Sequence, residues 1–462
     1  MVSMSLLQTE SKSEIKKILA IAWPLALAQL GFLAMGFVDT WMVAGLGPEA
    51  IGGVAIANAI FFVIALMFSA ALLSLDAIIG QRIGSGNEEQ CGSLLMQAYW
   101  IGLAAGILIT VPVLLLSPAI GSTLAKNPIV GDECSVYLWA RAWSFTPFLL
   151  FAAQRGFLSG IGTVRPLVII VIVGNLLNAL ADWAFIYGHL GMPAMGTEGA
   201  GYASTFSAFV LLIALYITIH HTDIQKKYQF RFAKPRLDVI AGILRLGGPF
   251  ALHILVEVGA FSTITILAAQ TDKISLAAHH IAWTYAALTF MVPLGISVAA
   301  SVRVAHCLGQ GDRRGAQRAG NLSIYLGILY TVGTSLLLLL LREPLVRVFL
   351  DDAEVVRTGG VLLMFAAAFQ ISDGMQVIGA GVLRGTGDTR KPFVANLIGH
   401  WVLGVPLGAY LAFGSDLGVR GLWVGTTLAL TTVAIVLVFP FLRGQWREYA
   451  GLEVDASEPV NN

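Results

Sequence analysis

Four carboxylates stand inside long apolar runs: Asp39, Asp182, Glu257 and Asp373. A charge at mid-membrane depth costs about 2.5–3.5 kcal/mol on insertion scales, so such acids face protein or water and mark proton or ion paths. Two carboxylates in one low-dielectric cavity oppose each other's charge unless a proton or another cation lies between them. The chemistry expected is therefore exchange of a cation for a proton, with Glu257 and Asp373 as candidate carriers. Asn175, Asn178 and Asp182 fall at i, i+3 and i+7, on one helix face, and with Asp39 they predict a second cation or proton pocket. The plainer role for such groups is hydrogen bonding between helices. His253 lies one turn before Glu257 and is a candidate proton relay. Pro24 shares its apolar run with Asp39 and predicts a bend, hence a candidate gate. Arg141 shows no partner, and its stem is long enough to reach outward. Phe61, Phe62, Trp283, Tyr285, Phe290 and Phe369 either line a cavity for organic cations or pack helices.

The elements that must position these residues are apolar helices. Of 462 residues 57% are hydrophobic and 12% charged, about half the usual charged share of a soluble domain, which makes lipid the main solvent. Twelve runs approach the length of about 20 residues that a bilayer demands: 15–44, 50–82, 92–116, 131–155, 164–188, 199–221, 237–270, 274–306, 315–341, 353–383, 392–413 and 418–442. They lack the period-two alternation of barrel strands. The polar first 14 residues predict insertion through the first helix rather than a cleaved leader. Cys91, Cys134 and Cys307 are too scattered for a metal motif, and no disulfide is expected.

Basic residues set the direction. Twenty-one of the 28 Lys and Arg fall on one side of this topology, six on the other (Lys126, Lys273, Arg342, Arg347, Arg357 and Arg420), and Arg141 lies within a span. The richer side is cytoplasmic, which predicts both termini inside, in a prokaryotic inner membrane. The halves repeat at an offset of 225 residues: Pro24 matches Pro249, Gly84 matches Gly309, and Gly156, Gly160 and Arg165 match Gly381, Gly385 and Arg390. A fixed period of this kind marks duplication. The expected organisation is a lobe over 1–221, a basic cytoplasmic linker over 222–240 and a lobe over 241–462: two six-helix bundles in the same orientation, related by a pseudo-two-fold along the membrane normal. The acids do not repeat. Glu257, Asp373 and Asp39 map onto Phe32, Phe148 and Ile264, so each half owns a different acidic site.

No phosphate loop, metal-protease motif or nucleophile–base pair is present; the chain is not expected to be an enzyme, to carry a cofactor or to bind nucleic acid. An ion gradient is then the energy source. The stretches PLALAQLGFLAMGFVDTWMVAGLG, GNLLNALADW, Pro249 to Glu257 and FQISDGMQVIGAGVLRGTGDTRKP resemble the multidrug and toxic compound extrusion (MATE) transporters, in particular their bacterial NorM-type branch. The resemblance implies export of organic cationic drugs and dyes in exchange for H+ or Na+ by a monomer. It implies an acidic pocket of Asp39, Asn178 and Asp182 in the first lobe and a cation site of Glu257 and Asp373 in the second. Phe369 stands where a sodium-coupled member is expected to have Tyr, which favours protons. The alternatives are a major-facilitator antiporter, whose loop after the second helix does not fit GQRIGSGNEEQ, and a lipid-linked precursor flippase, for which a basic cavity is expected.

Overall fold

The computed structural model describes residues 2–230, 232–415 and 417–448. Arg231 of the expected linker, the side chain of the tail's Arg447 and residues 449–462 of the expected second lobe lie outside them. The described chain is helical and contains no strand. In the first half run α1 (Val2–Ala44), α2 (Pro48–Leu73), α3 (Leu75–Gly84), α4 (Gln90–Leu124), α5 (Pro128–Ala142), α6 (Phe145–Gly160), α7 (Arg165–Tyr187) and α8 (Gly196–His220). The short α9 (Asp223–Tyr228) follows. The second half holds α10 (Leu237–Ala268), α11 (Lys273–Gly309), α12 (Arg313–Leu340), α13 (Arg342–Arg347) and α14 (Ala353–Gly385). It ends with α15 (Arg390–Asn396), a π-helical turn (Leu397–Gly404), α16 (Val405–Phe413) and α17 (Val419–Leu442).

Among the described residues, eleven helices are long and apolar enough to cross a membrane. The twelfth expected span, 131–155, is not one helix. It is α5 and α6, broken at Trp143 and Ser144. Pro147 supplies the cause: it has no N–H to give the Trp143 carbonyl, and its ring crowds that carbonyl. The Ser144 hydroxyl closes the turn on the Arg141 carbonyl at 2.6 Å. The repeat position is Ser372, and there α14 runs unbroken for 33 residues. Pro24 has no such effect, since α1 continues through it.

Packing divides the chain into two compact units. Among the described residues, an N-unit holds 27–83 and 87–247; a C-unit holds the stretch up to Ala26, 84–86 and 248–448. This differs from the expected lobes in two places. Residues up to Ala26 pack with the second half, because α1 outruns a single bundle. The described residues of the expected linker 222–240 pack with the first half. Gln97 of α4 accepts from the Arg236 N–H at 2.8 Å and donates to the Lys234 carbonyl at 3.0 Å, while the Trp100 indole donates to the Ala233 carbonyl at 3.0 Å. Lys227 meets Glu88 at 3.1 Å, and that contact holds the Lys227 ammonium above its ordinary range. The division cuts α1 just beyond Pro24 and α10 just before Pro249.

The repeated glycines serve close helix approach in both units, as small residues do between membrane helices. A Cβ on Gly160 would lie 2.5 Å from Ile79 Cβ, and one on Gly385 would lie 2.5 Å from the Ser301 carbonyl oxygen. Gly381 lies as tightly against Ser297, whose hydroxyl donates to the Val377 carbonyl at 2.7 Å. Side chains such as Leu108, Leu115, Leu176 and Leu329 point outward, as lipid-facing positions require.

Candidate ion-coupling site

The polar residues assemble as two clusters, one in each unit. In the N-unit, α7 brings Asn178 and Asp182 to the outer part of α1, where Asp39 lies beside both. All three are buried. The i, i+4 spacing of Asn178 and Asp182 does what the face argument expects. Ser204 of α8 donates to Asp39 Oδ2 at 3.3 Å. Arg141, unassigned by sequence, completes the cluster. Its guanidinium lies 4.3 Å from the centre of the Phe61 ring, with the charges of Asp39 and Asp182 close by. Tyr137, one turn earlier on α5, donates to Asn58 Oδ1 at 3.0 Å. Asn175 does not join: its amide donates to the Val171 carbonyl of its own helix at 2.8 Å. Pro24 does not join either. It is fifteen residues from Asp39 along one helix, roughly 22 Å at the helical rise, so the structure gives no contact between bend residue and acid.

Many polar atoms here are buried without a hydrogen-bond partner: Asp39 Oδ1, both Asp182 oxygens, both Asn178 amide atoms, and Arg141 Nε and Nη1. Unsatisfied groups at this depth are costly, and so many together define a site built to receive something polar. Two carboxylates and one fixed guanidinium leave room for one added positive charge before the cluster is neutral.

In the C-unit the acids keep different company. Glu257 Oε2 lies 3.1 Å from His253 Nε2. Gln376 Nε2 lies 3.3 Å from the same ring nitrogen and donates to Asn396 Oδ1 at 3.1 Å. His400, inside the π-helical turn, places Nδ1 3.2 Å from the Asn396 carbonyl. Asp373 stands one turn before Gln376, near the Glu257 charge. His253, Glu257, Asp373, Gln376, Asn396 and His400 are all buried, and Asp373 Oδ1, Gln376 Oε1, His253 Nδ1 and His400 Nε2 lack partners. No arginine or lysine neutralises this cluster among the contacts described. A ring nitrogen donates or accepts but does not do both. If His253 Nε2 carries a proton, it bonds the Glu257 carboxylate. If bare, it accepts from Gln376, and only a protonated Glu257 can still bond it. The trio thus has two bonding patterns that differ by the position of a proton.

Phe369, His279 and Trp283 are packing residues. Phe369 lies within 5.6 Å of the Trp423 ring and 6.1 Å of Trp283, and Trp423 donates to His279 Nδ1 at 3.2 Å. Among the described residues no group of three His, Cys, Asp or Glu converges to hold a metal ion. Gln376, Asn396 and His400 escaped sequence reading because only ionisable groups were conspicuous against the apolar background. The π-helical turn, a frequent mark of functional sites, was the missing signal.

Eleven membrane-length helices among the described residues, with a buried polar cluster in each unit, define a multi-pass membrane protein. The model of the MatE family matches residues 24–184 and 249–410, and the chain belongs to that family. The two matched stretches start 225 residues apart, at the repeated prolines. Solved structures agree on the fold. The eukaryotic MATE transporter AtDTX14 is 21% identical, with a TM-score of 0.84 over 96% of this chain and 100% of its own. A multidrug resistance MATE family transporter in an outward-facing conformation is 20% identical, with a TM-score of 0.84 over 94% and 96%. A transporter of the MOP superfamily from Pyrococcus furiosus is 20% identical, with a TM-score of 0.83 over 94% and 96%; its binding pocket is described as reversed in polarity, which suggests a different function for that protein. The fold and family are those of a multidrug-type efflux transporter.

Proposed function

We propose that this protein is an antiporter exporting organic cations across a prokaryotic inner membrane, both termini cytoplasmic, driven by inward protons. The observation that carries the reading is the Glu257–His253–Gln376 trio beside Asp373, a buried acidic cluster on which no arginine or lysine contact is described among the described residues. It must borrow positive charge, and its neighbours are imidazoles. Hard cations take oxygen ligands, whereas an imidazole between a carboxylate and an amide suits a proton; Phe369 adds no oxygen. A proton taken up at the unpartnered His253 Nδ1 lets the Nε2 proton pass to Glu257, which leaves Nε2 bare to accept from Gln376; Gln376 holds Asn396, and Asn396 holds His400 in the π-helical turn. Proton uptake thereby reaches backbone. In the N-unit, Asp39, Asn178 and Asp182 with Arg141 form the second coupling site, neutral after a single proton. The charges at membrane depth are mainly acidic, which favours cationic over anionic substrates.

The test uses purified protein in sealed liposomes with a fluorescent organic cation. A pH gradient alone is expected to drive dye movement, a sodium gradient alone is not, and Glu257→Gln is expected to abolish the pH-driven signal. Dye movement driven only by sodium would overturn proton coupling. No movement under either gradient would overturn organic-cation export.

A further inference from the structure

Half of the six basic residues on the sparsely charged side gather in one place. Arg342 and Arg347 of α13 and Arg357 of α14 line a crevice of about 400 Å³ together with Glu343, Asp351 and Gly360. The crevice lies in the C-unit where the chain leaves α12, so it sits at the membrane boundary. Its walls are fixed. Val346 of α13 is fully buried against Gly359, where an added Cβ would come within 2.9 Å of Val346 Cγ2. Tyr285 of α11 donates to the Leu345 carbonyl at 2.9 Å.

Apart from one loose pair, the charges of the crevice are not spent on one another. Arg342 Nη1 points at the Met364 thioether, and Arg357 meets no carboxylate among the described residues. Arg347 stands 3.9 Å from an exposed Asp351, a loose pair. Asp352 is committed elsewhere, capping α14 through the Glu354 and Val355 N–H groups at 3.0 Å each. Guanidinium groups match phosphate oxygens, while Glu343 and Asp351 offer carboxylates to an ammonium. The floor is open because Gly360 has no side chain; a Cβ there would touch Glu343 Cγ at 3.7 Å and the Arg342 stem at 3.9 Å, in ordinary contact. A second observation names the rest of the ligand. Leu340 and Val348, which flank α13, are 80% and 76% exposed, an apolar surface adjoining the charged crevice.

We infer that this crevice binds the headgroup of an ethanolamine phospholipid, its phosphate on Arg342 and Arg357, its ammonium toward Glu343 and Asp351, and its chains over Leu340 and Val348. The inference is independent of the exported substrate and of the coupling ion.

Native mass spectrometry of the purified protein tests it, with phosphatidylethanolamine, phosphatidylcholine, phosphatidylglycerol and soluble glycerophosphoethanolamine offered in turn. The ethanolamine lipid should be retained roughly tenfold better than the others, a factor equal to about 1.4 kcal/mol. The doubly substituted Arg342→Ala, Arg357→Ala protein should lose that retention, and so should Gly360→Leu, which keeps every charge but fills the floor. Arg420→Ala should not. If the double variant fails to fold, Gly360→Leu decides. Undiminished retention in Gly360→Leu would overturn the site. Equal retention of phosphatidylglycerol would reduce it to a positive field, and equal binding of the soluble ester would assign it to a free phosphate ester; either result refutes the lipid.

Discussion

Asp373→Asn separates an ion carrier from a structural acid. Asp373 is 5% exposed, its Oδ1 has no partner, and the Glu257 charge is its neighbour. Holding a carboxylate there costs about 2.5–3.5 kcal/mol on insertion scales. An amide of the same shape carries no charge and costs about 1–3 kcal/mol if left unbonded. The variant should therefore be the more stable protein, by about 1–2 kcal/mol, or roughly 2–8 °C in Tm for a unit of this size. The amide binds no proton, so export should fall to background while the fold tightens. The assay is thermal unfolding followed by tryptophan fluorescence at alkaline pH, run beside pH-driven dye export by the same preparation. Gained stability with lost export is the signature of a group kept for function at the expense of stability. A variant that melts earlier and still exports would refute the reasoning, leaving Asp373 as a helix-to-helix acceptor.

Two further outcomes are expected. Arg141→Met removes the fixed cation from a buried cluster, which typically costs about 3–5 kcal/mol; adding Asp182→Asn should recover part of that loss, and strictly additive unfolding energies would show that the two do not interact. Ser372→Pro should break α14 where Pro147 breaks its counterpart, costing about 3 kcal/mol or more and leaving no monodisperse protein on size exclusion, whereas Pro147→Ala should elute normally because Ser144 still closes its turn.

Much of the fold is legible in the sequence because hydrocarbon imposes a length and a composition on every span. The repeat was legible too, and the glycines that reveal it at 156, 160, 381 and 385 are those that let helices touch. The break between α5 and α6 was written in Pro147, yet hydropathy averages over a single proline. The acids were conspicuous by charge alone, and the pairing of Asn178 with Asp182 follows from helical spacing. Arg141 was unreadable as a partner because Asp39 and Asp182 reach it from other helices. Gln376, Asn396 and His400 pass for ordinary polar contacts until Gln376 is found to bridge His253 and Asn396. Phe61 and Phe369 show the limit of residue type: one lies under a guanidinium and the other is core, although both are buried phenylalanines.

The π-helical turn takes up a difference in length between the two halves. From Arg390 to Phe413 the chain takes 24 residues, while its counterpart α7, from Arg165 to Tyr187, takes 23. The second stretch matched by the family model, 249–410, is likewise one residue longer than the first, 24–184. One added residue in an ordinary α-helix turns everything beyond it by roughly 100°; a π-turn takes it up as a local bulge. Gly404 and Gly408 thus still reach Gly425 and Leu422 of α17. The second half is thus one residue longer over this stretch without any change in how its last turns pack, and the turn that takes up the difference carries the imidazole of His400 at the repeat position of Asn175.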